Sequence, residues 1–226
     1  AKDFAGRLFF QPVKKGSLKG LGIGVSGTTG IERGTTAAPQ LASYRTGGQQ
    51  TWFRYLSSTT TPANNVFANG SRRRLAPQAY FYTGPLGLHG EYIMSWQEVS
   101  RATVPTIKLK HTAWEATGSL FLTGEKNSFR SPAPKKPFDP KAGTFGAVEL
   151  AARYAELTID DATFPAYANP ASTPSKAKTF GVGLNWYLAK GIKTVIDYEH
   201  TSFVGGTATG DRESENSVVT RVQYSF

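Results

Sequence analysis

Residues 180–199 read FGVGLNWYLAKGIKTVIDYE. Phe180, Val182, Leu184, Trp186 and Leu188 fall on one side of an extended chain, with Gly181, Gly183, Asn185 and Tyr187 on the other. After the joint 189–191 the alternation resumes, with Ile192, Thr194, Ile196 and Tyr198 opposite Lys193, Asp197 and Glu199. A period of two on both sides of a short joint predicts an antiparallel hairpin with one apolar face. Working outward, the same period marks ten runs in all: 4–10, 21–26, 51–56, 74–83, 88–97, 114–122, 148–154, 180–188, 192–199 and 218–226. Run 51–56 is short, and run 74–83 carries Pro77, which makes it an imperfect strand.

Composition narrows the class. Glycine (24) and proline (13) punctuate the whole of the 226 residues, which excludes a helical bundle. No stretch approaches the ~18 consecutive apolar residues of a spanning helix. A spanning β-barrel stays open, because its strands alternate lipid-facing and lumen-facing residues. Ten runs leave about 23 residues for each strand with its connection, in keeping with spanning strands of ~9–11 residues. The joints at 84–87 and 189–191 are tight, whereas 160–176 and 204–215 are long and polar, the asymmetry of an outer-membrane barrel. The absence of cysteine removes disulfides and thiolate metal sites. Residue 1 is not a methionine, so any export signal is expected to be removed or to lie upstream.

A soluble sandwich and a membrane barrel place the same charges differently. Trp96, Tyr92, Trp186, Tyr198, Tyr224 and Phe226 lie on apolar faces toward strand ends, as interfacial girdles do. Arg7, Glu91, Glu115, Glu149, Arg153, Lys193, Asp197, Glu199 and Arg221 alternate with apolar residues in mid-strand, where a barrel has a wet lumen. The chain stops on an alternating strand at an aromatic, Phe226, which resembles the terminal signal of outer-membrane barrels. The expected fold is therefore all-β, a transmembrane antiparallel barrel with about ten strands in a single domain over 1–226.

The net charge of +10 calls for an anionic partner or permeant. By alternation the lumen-facing cations are Arg7, Arg54, Arg74, Arg153, Lys193 and Arg221, against Glu91, Glu115, Glu149, Asp197 and Glu199. The wall is thus nearly neutral, and the excess lies in the connections. The triplet Arg72, Arg73, Arg74 sends Arg72 and Arg74 to one side and Arg73 to the other. The segment 125–145 carries Lys126, Arg130, Lys135, Lys136 and Lys141 against Glu125 and Asp139, and forms a cationic constriction if it dips inward. Each has a plainer reading: a solvated rim or lipopolysaccharide contact for the triplet, an Arg153–Glu149 salt bridge within the wall, an exposed turn at Lys135 and Lys136. Arg101 is read as a loop residue. His89, His111 and His200 sit on separate runs, with no spacing for a metal or a triad. No catalytic residue, metal or cofactor is expected, and no nucleic-acid surface, because the aromatics lie opposite the charges.

Several blocks in order resemble the phosphate-selective porin O and P family: Gly6 to Phe10, Leu21 to Gly24, Tyr44-Arg45-Thr46 with Gln49 to Tyr55, Arg74 to Gly84, Gly87 to Tyr92, Leu122 to Glu125, Pro137 to Pro140, Gly146 to Arg153, Gly181 to Leu188 and Asp197 to Glu199. The resemblance covers nearly the whole chain and corresponds to about the C-terminal half of such a porin. It implies a 16-stranded barrel incomplete here at its N-terminus, trimeric assembly in the bacterial outer membrane, contact with lipid and lipopolysaccharide, and passive passage of phosphate or pyrophosphate-like anions. The expected path is Arg7, Arg54, Arg72, Arg74, Lys135, Lys136, Arg153, Lys193 and Arg221. The alternatives are a general diffusion porin, or a small closed barrel acting as a binding or structural protein or an outer-membrane enzyme. Counting strands back from a periplasmic end places 125–145 on the short-turn side, together with 31–48 unless run 51–56 begins earlier or a further strand lies within that stretch.

Overall fold

The computed structural model describes residues 2–225 except 103 and 131, so the terminal Phe226 lies outside the described residues. The strands are β1 (Asp3–Phe10), β2 (Leu21–Arg33), β3 (Tyr44–Arg45), β4 (Thr51–Phe53), β5 (Phe67–Thr83), β6 (Leu86–Arg101), β7 (Val104–Phe121), β8 (Phe138–Asp139), β9 (Thr144–Phe145), β10 (Ala147–Thr158), β11 (Pro174–Ala189), β12 (Ile192–Gly205) and β13 (Glu215–Tyr224). Nine of them form one sheet in the order β1-β2-β5-β6-β7-β10-β11-β12-β13, every neighbouring pair antiparallel. The sheet has open edges at β1 and β13. β3 with β4, and β8 with β9, make separate two-stranded ribbons.

The register joins the expected faces across strands. Phe180 lies opposite His200, Val182 opposite Tyr198, and Leu184 opposite both Leu150 and Ile196. On the outer face Leu88, Tyr92, Trp114, Leu150, Tyr154, Phe180, Val182, Leu184, Ile196, Tyr198, Val218 and Val222 are all exposed. So broad an apolar surface is tolerated where lipid, not water, covers it. Pro77 has its predicted effect: the β5–β6 ladder passes from Leu75–Met94 to Gln78–Glu91 without pairing at 76 and 77, where proline supplies no N–H. At the joint 190–191, Gly191 adopts φ +80°, a left-handed conformation that an L side chain resists.

One run departs from the expected wall. Residues 51–56 alternate like a strand, yet only Thr51–Phe53 is β4, and it pairs with β3 inside a long segment, 34–66, that folds against the inner face of the sheet. The alternation there has a different cause. Phe53 and Tyr55 are buried in a core with Val99, Leu109, Ile159, Tyr167 and Phe203, while Arg54 between them points to solvent. Removing this run from the wall corrects the side assigned to 31–48. β2 continues to Arg33, and 34–66 leaves from the end that also carries 159–173 and 206–214. The other end carries 11–20, the two tight joints and 122–146.

The larger core therefore lies on the inner face at the long-loop end, and a smaller cluster of Phe121, Ala147 and Tyr187 lies at the short-turn end. The hydroxyl of Tyr55 meets His111 Nε2 at 2.8 Å, and the Asp160 N–H donates to His111 Nδ1 at 3.1 Å. Since Nδ1 accepts, the ring proton sits on Nε2 and donates to Tyr55. Leu56 N–H donates to Tyr167 O, and Arg101 donates to Asn64 O and Ala166 O, binding 34–66 and 159–173 to each other and to β6. Arg101 is thus a strand-end anchor, which corrects its reading as a loop residue.

Candidate anion path

The strands bring the inward cations together in two electrostatic classes. Arg72 is saturated: Nη2 reaches Asp3 at 2.7 Å and Nη1 reaches Glu32 at 2.7 Å. Arg153 is likewise paired, with Glu199 and, at 3.6 Å, with Glu115, which also faces His89 at 3.4 Å. Its partners lie across strands, and Glu149 instead accepts from Tyr187 at 2.8 Å and Asn185 at 3.3 Å. This corrects the expected Arg153–Glu149 pair for a geometric reason. Residues four apart on one strand are ~13 Å apart, whereas cross-strand neighbours on one face are ~5 Å apart.

Arg7 and Arg74 form the second class. Arg7 Nη2 donates to Gln78 Oε1 at 2.9 Å and to the Tyr80 hydroxyl at 3.3 Å, both neutral partners. The nearest acid on this chain of bonds is Glu91, reached through Gln78 Nε2 at 2.9 Å. Arg74 is exposed and pairs with no carboxylate among the described residues. Both arginines line one shallow cavity of about 450 Å³ with Ser26, Thr28 and Ile93. Guanidinium stays charged at every working pH and offers several donors, so each of these groups keeps charge and hydrogen bonds available to an anion. Arg74 also sits close enough to Tyr44 to oppose the upward push of burial on that phenol.

The remaining predicted positions are spread out. Lys193 lies over the Tyr187 ring, its Nζ 5.5 Å from the centroid, and Arg221 is exposed on the inner parity of β13. Arg54 is exposed on the infolded segment. Lys135 Nζ donates to Gly124 O at 2.7 Å and its N–H to Glu125 at 3.2 Å, while Lys136 is exposed beside it. Burial raises the Glu125 carboxyl, but hydrogen bonds from Thr123 and the Lys135 N–H, with the Lys135 ammonium, hold it below the usual carboxylate range.

The segment 125–145 straddles the rim. Its first part turns inward: Asn127 N–H donates to Gly84 O, and Phe129 packs on Phe9, Tyr80 and Tyr82. Its second part turns outward, where Phe138 meets Trp186 edge-on at 5.3 Å and Trp186 Nε1 donates to Phe145 O at 2.6 Å. The inward half brings Arg130 onto the inner face with Arg7.

The long infolded segment spans the inner face as a strap. Tyr44 lies near Arg74 of β5, and the turn at Gly47 and Gly48 presses against Glu199 and Glu215 of β12 and β13, where a Cβ on either glycine would collide. Thr46 Oγ1 donates to Glu215 at 2.7 Å, and Arg212, lying over Phe203 at 4.9 Å, donates to Thr51 O at 3.0 Å. Sequence reading missed this strap, because the alternation of 51–56 reads as a wall strand and the rest of 34–66 has no period.

A family model described as phosphate-selective porin O and P matches residues 2–226. The chain belongs to that family. Porin O of Pseudomonas aeruginosa is 27% identical over 147 residues, which make up 63% of this chain and 33% of that protein. The chain thus spans about a third of the length of the curated relative it matches. Membership of the porin O and P family makes the chain a porin-family protein of the bacterial outer membrane and not an enzyme. The outward apolar band of its nine-stranded sheet is the surface that such a location requires.

Proposed function

We propose that the nine strands are part of the wall of an anion-selective channel through which phosphate or pyrophosphate-like anions diffuse passively. The observation that carries this reading is the pair Arg7 and Arg74, two inward guanidinium groups on one cavity with no carboxylate attached to either among the described residues. An ion that moves must exchange water for partners of similar strength and then leave. Unneutralised arginines interspersed with the hydroxyls of Ser26, Thr28 and Tyr80 suit that exchange. Arg72, Arg153, Lys193, Arg221 and Arg54 extend the positive surface, and Lys135 and Lys136 add charge at the short-turn rim. The complete wall has more strands than nine, three copies assemble, and lipid with lipopolysaccharide covers the outer face.

Phosphate titrated into chloride on a reconstituted channel tests the reading. Phosphate is expected to reduce chloride current by occupying the cationic surface, and Arg74→Ala to weaken that block several-fold. A second reading, general diffusion without phosphate preference, draws on the neutralisation of Arg72 and Arg153 by four carboxylates. Chloride current indifferent to phosphate would select it.

A further inference from the structure

At the short-turn rim the inner face carries a built aromatic chamber beside its cations. Phe9, Tyr80, Tyr82 and Phe129 meet edge to face: Phe129 lies 5.3 Å from Phe9 and 4.7 Å from Tyr82, and Phe9 lies 5.8 Å from Tyr80. The wall makes room for the rings by omission. A Cβ on Gly22 would stand 2.6 Å from the tip of Phe129 and 2.7 Å from that of Phe9, so any other residue there would displace both. The chamber, about 570 Å³, is lined by these rings, Ser128, Arg7 and Arg130. A second cavity of about 420 Å³ shares Tyr82, Ser128 and Phe129 with it and brings in Lys19 and Lys126.

We propose that this chamber binds phosphate monoesters that carry a flat aromatic group, such as an aryl phosphate, and holds them longer than inorganic phosphate. The proposal rests on the anion-channel reading above and adds a second recognition element to it. Arg7 and Arg130 pair with no carboxylate among the described residues, and the Arg7 guanidinium lies 5.8 Å from the Phe9 centroid. A dianionic phosphate placed between the two guanidinium groups sets its aromatic substituent against Phe129 and Tyr82. Phosphate alone gains only the charge-assisted hydrogen bonds. The ester gains these and ring contact, which is the difference the chamber is built to read.

The dwell time of phenyl phosphate in the complete porin that contains these strands, reconstituted in a planar bilayer, is compared with that of inorganic phosphate, both read as transient blocks of chloride current. The expected dwell is ~3- to 10-fold longer for phenyl phosphate, the span that one aromatic contact supplies. Phe129→Ala and, separately, Tyr82→Leu bring the ratio toward one, and Arg130→Ala shortens both dwells. Two variants on different elements guard against misfolding of either, and single-channel conductance reports that each has assembled. Equal dwells for the two anions in the unmodified channel would overturn the proposal, as would a ratio unchanged in both aromatic variants. Failure of the anion-channel reading is a separate outcome, seen as cation preference in chloride alone.

Discussion

Arg74 and Arg72 stand two residues apart on the same face, and their environments give them opposite tasks. Arg72 holds Asp3 and Glu32, so Arg72→Ala leaves two partly exposed carboxylates without their cation and costs stability of about 1 kcal/mol, read as a lower unfolding midpoint. Arg74→Ala breaks no ion pair and leaves folding nearly unchanged, but it is expected to lower anion preference at ~0.15 M salt. There the Debye length of ~8 Å removes distant rim charges and spares those at a narrow surface. Arg101→Ala, by contrast, cuts the anchor to Asn64 and Ala166, and its effect is expected in proteolysis of 34–66. Glu125 adds a pH dependence at the rim. Its folded carboxyl titrates below its ordinary value, so its contribution is present above that value and is lost as pH falls through the depressed one. Amide protection factors over 123–130, taken relative to the intrinsic exchange rate at each pH, are therefore expected to fall on acidification from pH 6 toward pH 3, and Glu125→Gln to flatten that response.

The elements divide into those that periodicity reveals and those it does not. Nine runs became wall strands with the expected faces, because each alternates against lipid on one side and water or packed protein on the other. Run 51–56 shows why alternation alone misleads: burial of Phe53 and Tyr55 around an exposed Arg54 imitates a spanning strand, but the partner is an inner core. The strap was not legible, since its position depends on distant contacts such as Gly47 on Glu199; for 125–145 the sequence raised an inward turn, but which half takes it depends on contacts such as Phe129 on Phe9. Gly47→Val is expected to push the Glu199 carboxylate aside and loosen its pair with Arg153, at a cost of about 1 kcal/mol or less, and to change the reversal potential as that guanidinium is freed. Cysteines along β11 report the wall itself. Positions 180, 182 and 184 should react from lipid, and positions 181 and 183 from water.

At the scale of the molecule, an apolar outer band, an inner face of mixed charge and a strap across that face describe a channel wall with a controlled interior. The +10 charge is carried mainly by connections and rims, while the wall neutralises much of its own. In the proposed anion channel, selectivity rests on the inward cations that pair with no carboxylate among the described residues, Arg7 and Arg74 foremost. The reversal potential of the unmodified channel under a potassium chloride gradient measures the sum of these terms in one quantity. The account predicts a potential of the sign set by chloride, reduced by Arg74→Ala; a potential of the sign set by potassium in the unmodified channel would contradict it.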